Sequence, residues 1–493
     1  MTVKKIWPTS GGANVSTANE HSKDGSEVVP SGCCFSLGIR HLQALFIFFG
    51  LSVAYAMRVN LSVAIVAMTD SSANTDFDEY DWNEKTKALL LSSFFWGYII
   101  TQVPGGALAN KFGGKRTLFF GVLICSLLTL LTPICAKIGD WKLVIALRVV
   151  QGLCQGMIFP STHTLLSKWT AVKDRGTFAT YCYSGAQFGT VVMMGSSGLI
   201  ASSSMGWPGI YYLSGSLGVI WSILWVIWGA STPAESKLIS PEEKKYIEQS
   251  TRTNEGGEQL APQRTPWLKI FTSPPVLVLT LAHCTNNWGF WTLLTEIPTY
   301  MKNVFGMDIK SNAMLSSLPY LAMFLMCFVF SAISSVLDRN KCLPLSVSRK
   351  VFNSIGHWTP VVTLIILGYV GSDQTTLAIV LLTVTVGMNA SCYLGFQVNH
   401  IDLSPNYAGI MMGISNCAAN IMSIIAPLVV GFVVTNEKDP EQWRIVFFIA
   451  SGFYFFGNLM FILFGRTELQ PWNDAVPLPS SEKRNGTQLE SQH

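Results

Sequence analysis

Two arginines stand in otherwise apolar runs. Arg58 lies in LFIFFGLSVAYAMRVNLSVAIVAM and Arg148 in LVIALRVVQGLCQGMIF, and neither run contains a carboxylate. A guanidinium keeps its proton under essentially all conditions. Holding one in hydrocarbon costs from about 3 kcal/mol on insertion scales to over about 10 kcal/mol in simulations. Such a residue is expected to face a polar interior and to meet an anion. The chemistry implied is reversible electrostatic binding of a small anionic cargo, with no covalent step. Gln151 and Gln155 follow Arg148 by three and seven residues and share its helical face. Tyr55 and Ser62 stand three before and four after Arg58, on its face. They line the same interior or pack between helices; spacing alone leaves both open. Gln151 is a candidate for coupling or gating, as are three further groups. His163, after Pro160, is a group able to titrate near neutrality. Glu296 is the acid that falls inside an apolar run, near its outer end, followed by Pro298. His400 lies in Asn399-His400-Ile401-Asp402.

Those side chains need elements to hold them in a membrane. The chain of 493 residues is 49% hydrophobic and 13% charged, against roughly 25% charged in soluble proteins. Runs of about 20 apolar residues predict twelve spans: 42–68, 88–109, 117–136, 143–167, 177–201, 207–231, 275–297, 312–336, 352–371, 375–399, 407–434 and 445–465. The fold class expected is all-α and integral to the membrane. A polar tail (1–40) precedes a first six-helix half (41–231). A polar connection (232–274) leads to a second half (275–466) and a tail (467–493). In the connection, Ser240, Pro241 and Glu243 have the spacing of a helix start. With both termini on one side, the segments on that side hold 23 Lys/Arg and the opposite loops 8, so the positive-inside rule places both termini in the cytosol. The first outer loop is acidic (Asp70, Asp76, Asp78, Glu79, Asp81, Glu84). Gly185-x-x-x-Gly189 offers a small-residue packing face. No basic stripe of nucleic-acid type occurs. The cysteines fit neither a zinc site nor a disulfide framework, although Cys33 and Cys34 are placed for palmitoylation. The N-x-[ST] matches at Asn14, Asn60, Asn389 and Asn485 fall in tails or spans and are expected to carry no glycan.

Between the second and third spans runs Gly106-Ala-Leu-Ala-Asn110-Lys111-Phe-Gly113-Gly114-Lys115-Arg116. It resembles the signature loop of the major facilitator superfamily, with Asn110 where that loop has an aspartate. SSFFWGYIITQVPGGALA, RVVQGLCQGMIFPSTH, SGAQFGTVV, WTLLTEIPTYM and NHIDLSPNYAGIMMGISN are similar to the anion:cation symporters, which include sialin, vesicular glutamate transporters and sodium–phosphate cotransporters. The resemblance covers roughly residues 40–470. It implies twelve helices in two six-helix halves, a central anion site and alternating access. It also implies that Arg58 and Arg148 match the family's first- and fourth-helix arginines, which bind or gate the anion.

Three positions depart from the pattern. Gln155 stands where sialin-like members have a glutamate associated with proton coupling. Leu91 and Asn286 stand where glutamate carriers have a histidine and an arginine. The expectation is therefore a secondary transporter coupling Na⁺ to inorganic phosphate, with Tyr55, Gln155 and Asn286 beside the arginines. The alternative is a proton-coupled carrier of organic acids. From a different class, a non-transporting anion sensor fits the same residues. An enzyme does not, because no H-E-x-x-H, G-x-S-x-G or paired intramembrane aspartates occur. The expected partners are a small anion and the bilayer, with no cofactor, metal, nucleic acid or obligate protein partner. No acidic dileucine signal occurs in the first 40 residues, which favours the plasma membrane.

Overall fold

In a bilayer every backbone N–H and C=O must be satisfied within its own segment, so apolar runs of this length fold as helices. The computed structural model describes residues 38–69, 79–251, 265–306 and 309–473, and among them there is no strand. The helices are α1 (Ile39–Met68), α2 (Glu84–Phe112), α3 (Gly114–Gln155), α4 (Ile158–Trp169), α5 (Arg175–Ala201), α6 (Gly206–Trp228), α7 (Pro241–Thr251), α8 (Trp267–Phe271), α9 (Pro274–Asn303), α10 (Ile309–Arg339), α11 (Leu345–Leu367), α12 (Thr375–Asn389), α13 (Phe396–Leu403), α14 (Ala408–Val433) and α15 (Pro440–Phe464). Cys33, Cys34, Asp70, Asp76, Asp78, Asn14 and Asn485 lie outside the described residues.

Among the described residues, seven helical stretches are long and apolar enough to cross a membrane. One of them, Gly114–Trp169, has 56 residues and holds two crossings. The chain reverses at Asp140, whose backbone is left-handed (φ 49°, ψ −155°). Trp82 donates its Nε1–H to the Asp140 carboxylate at 2.7 Å. Gln151 meets Thr129 at 3.2 Å and Gln155 meets Cys125 at 3.3 Å. Each of these pairs is equidistant from residue 140, the signature of a hairpin folded there. Four further long helices, α2, α5, α9 and α11, complete twelve crossings. They are less apolar because they carry the glycines, asparagines and histidines that face protein rather than lipid.

The spans read as 143–167 and 375–399 are each broken. The fourth is interrupted at Gly156 and Met157 before α4 resumes. The tenth ends as α12 at Asn389, passes through a 3₁₀ turn at Ala390–Tyr393, and resumes as α13. Hydropathy is continuous across both breaks, so composition does not reveal them.

The outside of the bundle is apolar. On α6, Leu217, Ile220, Ile223 and Ile227 are all exposed, a stripe at helical spacing suited to lipid contact. Inside, α5 packs on α1 through Gly185 and Gly189, where any Cβ would run into the carbonyls of Phe48 and Ser52. The two six-helix halves meet along α2–α14, α5–α10 and α4–α14. We call the end of the bundle carrying Gly38 and α7 the terminal face.

The connection between the halves is anchored there. Ser240 Oγ accepts the Glu243 N–H at 3.2 Å, the N-cap that the sequence predicts. The Glu243 carboxylate does not return to Ser240. It accepts the N–H groups of Ile39 and Arg40 at 2.9 and 3.0 Å and so caps α1, where negative charge is favoured by the helix dipole. Arg40 adds an ion pair to Asp174 at 2.9 Å, and Ile247 of α7 is buried in the core of the first half.

Candidate functional site

The Arg58 guanidinium carbon lies over three aromatic rings: 4.2 Å from the Tyr98 centroid, 4.8 Å from Tyr55 and 4.9 Å from Phe94. Tyr55 is one helical turn before Arg58 on α1, and Phe94 and Tyr98 are one turn apart on α2. Each cation–π contact of this kind offsets about 0.5–2 kcal/mol of desolvation. Arg148, at the end of α3, lies 5.0 Å from the centroid of the same Phe94 ring, so both guanidiniums share one site.

Arg148 is held by main-chain and amide oxygens. Its Nη1 donates to Met57 O at 3.4 Å and Gln151 Oε1 at 3.3 Å, and its Nη2 to Arg58 O at 3.2 Å. Gln151 is fixed in turn by Thr129. Gln155 donates to Ala54 O at 2.9 Å. Among the described residues neither arginine is paired to a carboxylate. The Nε–H of each is buried and has no hydrogen-bond partner. Two permanent positive charges with unused donors, held by neutral groups, have the chemistry to bind an anion.

The other predicted residues are placed elsewhere. Asn286 on α9 lies in the second half, where it accepts from Asn389 at 2.7 Å. Glu296, half-buried near the far end of α9, is not paired with Arg58. Ser62 turns its hydroxyl onto Val59 O. His163 sits nearer the terminal face than Arg148, 3.1 Å from Gln397 O and 2.6 Å from the Tyr183 hydroxyl. His400 lies 2.7 Å from Ser415 Oγ, which also meets His283 at 3.1 Å. The rings of His163 and His400 are 5.2 Å apart, so imidazoles from the two halves form one buried cluster.

The terminal face is closed between the halves. Gly106 of α2 packs directly on Gly409 and Ile410 of α14. Lys168 reaches Asn406 at 3.2 Å and Thr177 reaches Ser335 at 2.9 Å. Asp402 accepts from Arg349 at 2.7 Å and faces Arg175 at 3.9 Å, all three buried. In the signature loop, Gly113 ends α2 with φ 88°, a conformation that suits glycine. Lys115 Nζ donates to Val226 O at 3.0 Å at the end of α6, while Asn110, Lys111 and Arg116 are exposed.

Comparison with known proteins agrees with this architecture. Residues 47–427 match the family model described as Major Facilitator Superfamily. A "Putative inorganic phosphate cotransporter" of Drosophila ananassae is 40% identical over 452 residues, covering 87% of this chain and 93% of its own. Sialin of Homo sapiens is 37% identical over 486 residues, 92% of this chain and 95% of its own. This chain belongs to the anion:cation symporter family of the Major Facilitator Superfamily. Vesicular glutamate transporter 1 of Xenopus tropicalis, 35% identical over 92% of this chain and 79% of its own, is a further relative. The chain is accordingly a secondary transporter rather than an enzyme, as expected from its lack of catalytic motifs.

Within this family member, several residues that the sequence did not single out complete the arrangement. Phe94 and Tyr98 form the arginine cage, and the Tyr98 hydroxyl accepts from Asn416 of α14 at 3.2 Å, joining the cage to the opposite half. The signal was present as a Phe-x-x-x-Tyr spacing opposite an intramembrane arginine, but aromatic residues in a span read equally well as lipid-facing. His283 and the Arg175–Asp402–Arg349 group depend on long-range packing and leave no local trace.

Proposed function

We propose that this chain carries inorganic phosphate across a membrane, driven by Na⁺. The observation that carries the proposal is the pair of buried arginines sharing the Phe94 ring with both Nε–H groups unspent and no carboxylate beside them. A small oxyanion supplies the missing charge and acceptors. Gln155 at the neighbouring turn is neutral and cannot relay a proton, which supports a metal cation as the driving ion. Relatives at 40% and 39% identity bear the name of phosphate cotransporters. The anion enters from the face opposite the closed terminal face, draws the arginines' donors to itself, and lowers the barrier to closing the halves around a near-neutral load. Closure there with opening at the terminal face completes alternating access. Positive-inside bias supports cytosolic termini, and the plasma membrane is the proposed location. The expected partners are the anion and lipid, with no cofactor.

The buried His163–Tyr183–His400–His283 group favours a second reading, proton-coupled carriage of an organic anion, the cargo class named by the sialin relative. One experiment separates the two. Uptake of labelled phosphate into proteoliposomes is measured under an imposed Na⁺ gradient, a proton gradient, or neither. Uptake driven by Na⁺ alone supports the proposal. Absence of phosphate uptake with proton-driven uptake of an organic acid establishes the second reading. Saturable binding without accumulation overturns both and marks an anion sensor.

A further inference from the structure

The second half contains a convergence of oxygen acceptors that the arginine site does not use. It lies where the tenth span is discontinuous. Helix α12 ends at Asn389, and the next turn, Ala390–Cys392, is buried. Beside it runs α11, a continuous helix with Pro360 inside it. Proline has no N–H, so the carbonyl four residues earlier, Gly356 O, has no helical donor.

Gly356 O turns instead toward the end of α12. Asn389 Nδ2 lies 3.0 Å from Gly356 O, 2.7 Å from Asn286 Oδ1 of α9 and 3.7 Å from Cys392 Sγ. Ser391 Oγ and Cys392 Sγ pack against the Cα of Gly356, where a Cβ would meet them. All of these residues are buried. The neighbouring His357 has a buried Nε2 with no hydrogen-bond partner. The group sits at the carboxyl end of α12, where the helix dipole favours positive charge.

We propose that this is a binding site for a monovalent alkali cation, formed by Asn286 Oδ1, Gly356 O and Asn389 Oδ1. The inference rests on the reading of the chain as a cation-driven transporter and names where that cation binds. In the structure the Asn389 NH₂ group lies between the two acceptors, as a partial positive charge. The oxygen and nitrogen arms of an amide are nearly isosteric. Half a turn of the amide exchanges NH₂ for Oδ1 and groups three neutral oxygens with no hydrogen among them, an arrangement that a cation above the three would stabilise. Hard cations select oxygen ligands, and a set with no carboxylate suits a single charge rather than two. The freed helical carbonyl and half-helix carboxyl end are the elements that coordinate Na⁺ in discontinuous transporter helices generally.

The test is equilibrium binding of ²²Na⁺ to the purified full chain in nanodiscs, without phosphate and with choline as the balancing ion, for wild type, Asn389→Leu, Asn389→Asp and Asn60→Leu. Asn60 bonds Ser214 inside the first half and serves as the control. The site is supported if wild type saturates, Asn389→Leu raises the half-saturating Na⁺ at least about tenfold, Asn60→Leu matches wild type, and Asn389→Asp tightens Na⁺ binding. It is overturned if folded Asn389→Leu binds Na⁺ as wild type does. Should Asn389→Leu not fold, Asn389→Asp decides, and an unchanged half-saturation overturns the site. Na⁺-driven phosphate uptake with binding indifferent to both Asn389 variants removes the site and leaves the transport reading standing. Absence of both ²²Na⁺ binding and Na⁺-driven uptake removes the two together.

Discussion

Replacing Arg148 by lysine keeps the charge and removes the geometry. The guanidinium distributes its donors in a fixed fork: Nη1 to Met57 O and Gln151 Oε1, Nη2 to Arg58 O, and Nε–H unspent. A lysine ammonium has three donors at one point. It cannot reach the two α1 carbonyls and Gln151 and still present a donor to an anion. The loss is about one charge-assisted hydrogen bond, worth about 1.5–3 kcal/mol, so the half-saturating phosphate concentration rises by roughly 10–150-fold. Arg148→Gln also removes the charge and leaves Arg58 to hold the anion alone. Its cost is that of breaking a buried charge pair, about 3–5 kcal/mol or more than about a hundredfold. The assay is concentration-dependent uptake of labelled phosphate into proteoliposomes, with the melting temperature of each purified variant measured alongside. The reasoning is refuted if Arg148→Lys and Arg148→Gln melt earlier but keep wild-type half-saturation. That outcome would make Arg148 a structural lock between α1 and α3, not a ligand.

Asp402→Asn leaves the buried Arg175 and Arg349 facing each other without their shared acid, destabilising the closed terminal face by about 3–5 kcal/mol. In a cysteine-depleted background, the disulfide between cysteines placed at Thr177 and Ser335 should then form more slowly than with Asp402 intact; an equal rate would show that the acid does not hold the halves together. Gly189→Val forces a branched side chain into the Ser52 carbonyl, and overpacking of this kind costs about 1–3 kcal/mol or more. Thermal unfolding in detergent should fall by several degrees, and an unchanged midpoint would contradict the close approach of α5 to α1.

What the sequence reveals of this site follows from helical period. Arg148, Gln151 and Gln155 are spaced three and four apart, so their common face is readable from spacing alone, as is the joint position of Tyr55 and Arg58. The twelve crossings are readable because each run is near bilayer length. The less apolar α2, α5, α9 and α11 are recognisable once the polar residues on one side are discounted. The breaks at Gly156 and at Ala390–Tyr393 are hidden, since a helix can bend or tighten with no change in hydropathy. Partnerships across the halves are hidden for a different reason. Tyr98 with Asn416, and Arg175 with Asp402, are separated by hundreds of residues, and nothing local in either segment marks its counterpart. Asn286 shows the limit of position alone: its helix is readable, but its partner Asn389 belongs to a different span.

The cap that Glu243 places on α1 changes what the central connection is mechanically. With α7 fastened to the first half through Glu243, Arg40 and Ile247, residues 232–251 of the polar stretch travel with that half as ballast. Severing Glu243 from α1 would free that ballast from the half that carries it.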